Sequence, residues 1–142
     1  MKIKKQGSAI WQGTIKEGGG KISTQSGALK EISYGFNTRF EGKPGTNPEE
    51  LLGAAHASCF TMATSVYLSQ AGFNPTRLET LADVTLEKIG EGFEITAIDL
   101  TLTAQVPELT QEKFKELTEK AKNSCPLSKV LKAPITLTAT LS

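Results

Sequence analysis

The chain is poor in the side chains that most often announce chemistry. Its 142 residues include two cysteines, one histidine, one tryptophan and two methionines. There is no C-x-x-C pair, and one histidine with two scattered cysteines supplies too few soft ligands for zinc. Charge of one sign is also missing: 16 basic residues stand against 15 acidic ones, a net charge of +1. That balance argues against a nucleic-acid or anionic-membrane partner, either of which calls for a basic patch. Gly18-Gly19-Gly20-Lys21 is not a phosphate loop. The pattern G-x-x-x-x-G-K-[ST] requires Gly where Ile15 stands and Ser or Thr where Ile22 stands. Lys2, Lys4 and Lys5 are interrupted by Ile3 and lead into an alternating segment, so no secretory signal is expected and a cytoplasmic location is. In that compartment a structural disulfide is not the default for Cys59 and Cys125; paired cysteines there are more often redox-active or catalytic. Nothing resembles a linker, a repeat or a low-complexity run, and residues 1–142 are expected to form a single domain with a real core.

The longest gap in charge is the most informative. No Lys, Arg, Asp or Glu occurs from Leu51 to Thr76. Asn47 can cap a helix here, Pro48 suits the first helical position, and Glu50 completes an N-x-x-E capping box. Gly72 can take the left-handed conformation that ends the helix, with Pro75 just beyond. Such a helix, apolar almost all round, is expected to be buried on more than one side and to form the core of the fold. Its length raises the question of a membrane span, but His56, Ser58, Thr61, Thr64, Ser65, Ser69 and Gln70 make it too polar for one. Cys59 lies at its middle, on an apolar seam spaced Leu52, Ala55, Cys59, Met62, Val66. On local pattern alone this is a packed core cysteine, among the most buried of residue types.

The rest of the chain alternates. Ser8–Trp11 and Gly13–Ile15 flank a glycine turn, Lys21–Thr24 returns, and Leu29–Phe36 reads as a further strand. Residues 36–46 read as a turn-rich loop feeding the helix. Leu81–Ile89 and the stretch from Phe93 to Val106 form a strand pair around Gly90-Glu91-Gly92. A change of phase near Ala97-Ile98 predicts a β-bulge. A second helix starts at Thr110, stapled by Leu109 and Phe114, with a stripe of Phe114, Leu117 and Ala121. Cys125-Pro126 opens a short turn or helix, and Ile135, Leu137, Ala139 and Leu141 alternate in a closing strand. The expected class is α+β, with antiparallel sheets packed around the long central helix.

A reactive cysteine needs its thiolate, and therefore a cation or a helix N-terminus close by. By that local test Cys125 does better than Cys59: it precedes Pro126 at a helix N-cap, with Lys122 and Lys129 nearby. Cys59 is mid-helix and has no neighbouring cation in sequence. Arg39 is a candidate to serve it through space, because a guanidinium stays charged and a carboxylate can hold it.

Two long segments, Thr46-Asn47-Pro48-Glu49-Glu50-Leu51-Leu52-Gly53-Ala54-Ala55-His56-Ala57-Ser58-Cys59-Phe60 and Asn123-Ser124-Cys125-Pro126-Leu127-Ser128, resemble the OsmC/Ohr family of osmotically inducible and organic hydroperoxide resistance proteins. Ser33 to Gly42 resembles the OsmC branch. The resemblance implies an intertwined homodimer with active sites at the subunit interface. It also implies a thiol-dependent peroxidase that reduces organic hydroperoxides, and needs no cofactor or metal. By the same resemblance Cys59 is the peroxidatic and Cys125 the resolving residue; Arg39 stabilises the thiolate and Glu49 orients Arg39. An external dithiol would reduce the resulting disulfide, with a lipoylated protein one candidate.

Helix geometry adds one expectation. Ten residues separate Glu49 from Cys59, about 15 Å along a straight helix axis. A pair anchored on Glu49 therefore serves Cys59 of a second subunit more readily than its own, with Gly53-Ala54-Ala55-His56-Ala57 a patch small enough for two helices to cross. Two other readings stay open: a redox sensor that does not turn over, and a dimeric scaffold in which Cys59 is core filler. His56, one turn before Cys59, is read as a hydrogen-bonded packing residue and not as a base.

Overall fold

The computed structural model describes residues 1–142, which divide into two compact units, Met1–Leu51 and Leu52–Ser142. In the first, β1 (Gly7–Gln12), β2 (Gly19–Thr24) and β3 (Ile32–Tyr34) form an antiparallel sheet in that order. The glycine-rich connection is a turn, and Gly13–Ile15 belongs to it instead of to a strand. Trp11 and Tyr34 meet edge to face at 5.6 Å between ring centroids. No hydrophobic side chain of this unit is fully buried; Ile10, Ile15 and Ile32 are all exposed. A three-stranded sheet without a core of its own is marginal in water.

The segment 36–46, expected as loop, contains a short helix, α1 (Phe36–Phe40). Gly35 begins it, and Thr38 closes the first turn: its hydroxyl accepts from the Gly35 N–H at 2.9 Å and donates to the Gly35 carbonyl at 3.0 Å. The long helix α2 spans Pro48–Gln70. Asn47 caps it as expected, its Oδ1 accepting the Glu50 N–H at 2.8 Å, while the Glu50 carboxylate accepts from the Asn47 side-chain amide. Its far end is a Schellman arrangement. Gly72, at φ +89°, lets the Phe73 N–H reach the Leu68 carbonyl at 2.9 Å and its own N–H reach Ser69 at 3.0 Å.

In the second unit β4 (Arg77–Ile89), β5 (Gly92–Gln105) and β6 (Ile135–Leu141) form one sheet in that order. The β4–β5 register slips where Thr85 pairs with Ala97 but Leu86 with Ile95, leaving Thr96 as the bulged residue beside the expected position. One detail departs from an all-antiparallel sheet: β6 runs parallel to β5. The reason is the connection, which carries α3 (Gln111–Ser124) and α4 (Pro126–Val130) and so is long enough to return the chain to the same end. Thr110 caps α3 by accepting the Lys113 N–H at 3.2 Å, and the stapling pair Leu109 and Phe114 is buried.

The core comprises Phe60 and Leu68 of α2, Ile98, Leu100, Leu102 and Ala104 of β5, and Phe114, Leu117 and Ala121 of α3, together with Cys125. The Gly53 backbone runs close to the sheet: a Cβ there would stand 3.1 Å from the Ala82 carbonyl. The buried stripe of α2 is Gly53, His56, Phe60, Thr64, Leu68. This corrects the expected seam. Ala55, Met62 and Val66 face outward, Met62 being 71% and Val66 50% exposed, and Cys59 lies between the two faces. Periodicity could not choose between them because α2 is apolar on both.

Candidate active site

The two cysteines, 66 residues apart in sequence, meet. Their sulfurs are 3.0 Å apart and share a hydrogen bond, and both thiols are free. Cys59 is half-buried on α2; Cys125 has no exposed surface. Pro126 explains where Cys125 sits. It cannot continue α3, it suits the first position of α4, and it holds the preceding residue extended, at ψ 128°. Cys125 therefore ends one helix and begins the next, its N–H donating to the Ala121 carbonyl at 3.0 Å and its carbonyl accepting from Lys129 at 3.1 Å.

The surroundings divide the pair. Burial and the hydrogen bond with Cys125 push the Cys59 thiol up, with the Leu127 N–H offsetting only part of this. Burial also acts upward on Cys125, but the Cys59 thiol, the Ser128 N–H and hydroxyl, and the Leu127 N–H together outweigh it and hold this thiol below its ordinary range. No N–H of α4 closes a full capping hydrogen bond to the sulfur; the effect is the field of several donors facing it. The two thiols are thus shifted in opposite directions, Cys59 up and Cys125 down. The preference for Cys125 suggested by its sequence position holds within the single chain.

The other two expected site residues meet in the first unit. Arg39, on α1, and Glu49, in the first turn of α2, form an ion pair. Arg39 Nε donates to both carboxylate oxygens at 3.2 and 3.1 Å and Nη2 to Oε1 at 2.6 Å. The Glu49 side chain is 11% exposed and that of Arg39 36%. Glu49 grips one edge of the guanidinium. Asn47 ties this arrangement together, donating to the Thr38 carbonyl at 3.2 Å while it caps α2. The Arg39 guanidinium carbon also lies 5.4 Å from the centre of the Phe40 ring.

Two contacts beside the cysteines escaped the sequence reading. His56, fully buried, places Nε2 2.8 Å from Ser128 Oγ, and Tyr67 donates its hydroxyl to Ser124 Oγ at 2.7 Å. The residues sit 72 and 57 positions apart, and no local pattern signals such a pairing. As a hydrogen-bonded packing residue, His56 is as expected. Burial lowers its pKa and keeps it neutral. No cluster of three or more His, Cys, Asp or Glu side chains is placed to hold a metal.

What the arrangement offers chemically is a half-accessible thiol with a buried thiol in contact, and a separately built, partly exposed arginine held by a carboxylate. The family model described as OsmC-like protein matches residues 40–140. The chain is 56% identical over 137 residues to peroxiredoxin OsmC of Escherichia coli strain K12, covering 96% of each. It is 29% identical over 117 residues to organic hydroperoxide resistance protein OhrB of Bacillus subtilis strain 168, covering 82% of this chain and 84% of that one. The crystal structure of OhrB of Bacillus subtilis matches with a TM-score of 0.68 at 27% identity, over 96% of this chain and 98% of that one. The crystal structure of an OsmC-like protein from Mycoplasma pneumoniae, at 15% identity and a TM-score of 0.76, shares the fold. With a family match over most of its length and a relative alike at more than half of its positions, the chain belongs to the OsmC-like protein family.

Proposed function

We propose that this protein is a cysteine-dependent peroxidase that reduces organic hydroperoxides to alcohols and so protects against oxidative stress. The observation that carries this reading is the thiol pair: one sulfur reachable, the other buried, 3.0 Å apart and unbonded. Relatives named peroxiredoxin and organic hydroperoxide resistance protein support the reaction class.

The Cys59 thiolate attacks the distal oxygen of R–O–O–H. The O–O bond breaks, the alkoxide leaves as alcohol with a proton, and Cys59 becomes a sulfenic acid. The Cys125 thiol condenses with it, forming the Cys59–Cys125 disulfide and releasing water. An external dithiol then returns two electrons; a lipoylated protein is our candidate donor. The assignment of Cys59 as the attacking residue rests on access, since an alkyl hydroperoxide meets the half-buried sulfur before the buried one.

Within one chain, however, Cys59 is held as a thiol. It needs a cation. Arg39 is our candidate: Glu49 occupies its Nε and Nη2 edge, which leaves Nη1 to face an anion. We read the active unit as a homodimer in which Arg39 and Glu49 of one subunit serve Cys59 of the other. Three features support this. Ten residues of helix part Glu49 from Cys59; the outer face of α2 carries exposed Met62 and Val66; and the N-terminal sheet has no buried apolar side chain of its own. Against the expectation from its Ser, Thr and His content, α2 is long and apolar enough to cross a membrane by length and composition. A second copy is our preferred cover for its outer face, because the inner one is already built into the core with buried His56 and Thr64. We take the chain as a single OsmC-like domain acting in the cytoplasm.

The test is consumption of cumene hydroperoxide with excess dithiol, in wild type, Cys59→Ser and Cys125→Ser. Loss of reaction in Cys59→Ser with a single turnover left in Cys125→Ser supports the assignment. Disulfide formation without turnover makes the protein a redox sensor, and indifference to both substitutions makes it a scaffold. Mixed dimers of Cys59→Ser and Arg39→Ala chains should retain one working site in two; complete inactivity rules out the shared site.

A further inference from the structure

The joint between α3 and α4 is held to α2 at two points, one on each side of Cys125. Ser124, the last residue of α3, accepts the Tyr67 hydroxyl at 2.7 Å. Ser128, inside α4, lies 2.8 Å from His56 Nε2. On α2 the two anchors also straddle Cys59, His56 before it and Tyr67 after it. The sulfur pair is thus bracketed by two hydrogen bonds between the same elements that carry the sulfurs.

Apart from the sulfur–sulfur hydrogen bond itself, these bonds are the side-chain-to-side-chain polar links between the joint and α2. His56 is fully buried and its Nδ1 has no partner, so its side chain spends its place in the core on the one bond to Ser128. An apolar residue of similar volume would fill that space without an orphaned nitrogen, which costs stability when buried. The phenol of Tyr67 is fixed a second time, with Lys120 Nζ of α3 lying 4.7 Å from its ring centre. Cys125 adds its own two backbone hydrogen bonds within the joint, and it reaches α2 through its sulfur, toward Cys59.

We propose that His56–Ser128 and Tyr67–Ser124 form a two-point clasp whose task is to position Cys125 as the resolving thiol, making these four side chains positioning residues for disulfide closure. The proposal rests on the peroxidase reading above. The step it governs is Cys59–S–OH plus Cys125–SH giving Cys59–S–S–Cys125 and water; the sulfenic sulfur is reduced, the thiol sulfur is oxidised, and the hydroxyl leaves with the thiol proton. From 3.0 Å the sulfurs have about 1 Å to close to reach the bonded distance. Side-chain rotation can cover that only if the joint stays in place. A joint free to drift loses the advantage of proximity and gives a second hydroperoxide time to carry the sulfenic acid on to sulfinic acid.

Rapid mixing with cumene hydroperoxide, without reductant, separates the two steps in the full-length protein: hydroperoxide loss reports attack, and loss of dimedone-reactive sulfenic acid reports closure. The variants are Ser128→Ala, Tyr67→Phe and their combination, with Ser128→Thr restoring the hydroxyl. The ratio of closure rate to attack rate is expected to fall about tenfold in the double variant, a size typical of lost buried hydrogen bonds. Sulfinic acid, read by mass spectrometry, should then build up at lower hydroperoxide, and Ser128→Thr should recover most of the ratio lost in Ser128→Ala. A merely structural role would lower both rates together or neither. Should Tyr67→Phe fail to fold, Ser124→Ala removes the same bond from the other side. A double variant that keeps the wild-type ratio overturns the clasp while leaving the peroxidase intact. A wild type that shows no attack at all overturns the peroxidase reading, and the clasp with it.

Discussion

Cys59 and Cys125 touch, yet they differ in almost everything that governs a thiol. Cys59 sits in the middle of a helix, half-exposed, beside an apolar outer face, with its pKa raised by burial and by its neighbour. Cys125 sits between two helices, sealed from solvent, with several donors facing its sulfur and its pKa lowered. Access favours one and local electrostatics the other. In a peroxidase with this pair, the accessible sulfur must gain an outside cation, whereas the buried one already has what a resolving residue and a good leaving thiolate require. On the proposed reading, the difference means that the single chain is equipped for the second half of the cycle and takes the cation for the first half from a second subunit.

The comparison breaks most visibly if the roles are exchanged. Cys59→Ser should reduce hydroperoxide consumption by at least about a thousandfold, as loss of a nucleophile does. Cys125→Ser should still give one equivalent of alcohol and a dimedone-reactive sulfenic acid on Cys59. If Cys125→Ser is the variant that abolishes attack, the field around α4 decides the chemistry and access does not.

The missing cation sharpens the contrast next. Arg39→Ala should slow the attack step about a hundredfold at pH 7, in the range of a lost charge-stabilising donor. The rate should recover as the pH rises, because removing a cation raises the thiol pKa and more hydroxide is then needed to reach the thiolate. Arg39→Lys should recover part of the loss, since an ammonium keeps the charge but cannot be gripped by Glu49 along one edge. An attack rate with unchanged pH dependence in Arg39→Ala would mean that Cys59 is activated within its own unit. A smaller effect follows from the outer face of α2. Met62→Lys, at a side chain 71% exposed in the single chain, should weaken self-association at least about tenfold, because a buried unpaired charge is costly. Sedimentation at graded concentrations measures this.

What could be read in advance follows a physical line. Caps, staples and alternation are local, and α2, α3 and β6 stand where Asn47, Thr110 and the Ile135–Leu141 pattern put them. The short helix α1 was not legible because its closure depends on Thr38 bonding back to Gly35, in a segment otherwise composed like a loop. The buried face of α2 was not legible because both faces are apolar, and which one packs, with Gly53 close to β4 and Phe60 and Leu68 in the core, shows only in the folded chain. Residue chemistry singles out the two cysteines and Arg39 as candidates, while their roles, and Glu49 as the partner of Arg39, come from a resemblance and not from spacing. The bonds from His56 and Tyr67 to α3 and α4 join distant positions in sequence, and only the folded chain brings them together.

The smallest expected effect concerns the buried side of the comparison. His56 packs beside the element that carries Cys125, and burial lowers its pKa from 6.5. A lowered folded pKa means that the unfolded chain binds a proton which the folded chain refuses. The stability this histidine lends is therefore fully present above about pH 6.5 and is lost as the pH falls from there toward its folded value. The slope from this one group cannot exceed about 1.4 kcal/mol per pH unit. Urea unfolding between pH 7.5 and 5 should show the decline in wild type, and His56→Gln, which keeps a donor toward Ser128 but does not titrate, should be flatter across that window. Equal slopes would mean that the imidazole protonates freely in the folded state, and the joint beside Cys125 would then be more open than its burial indicates.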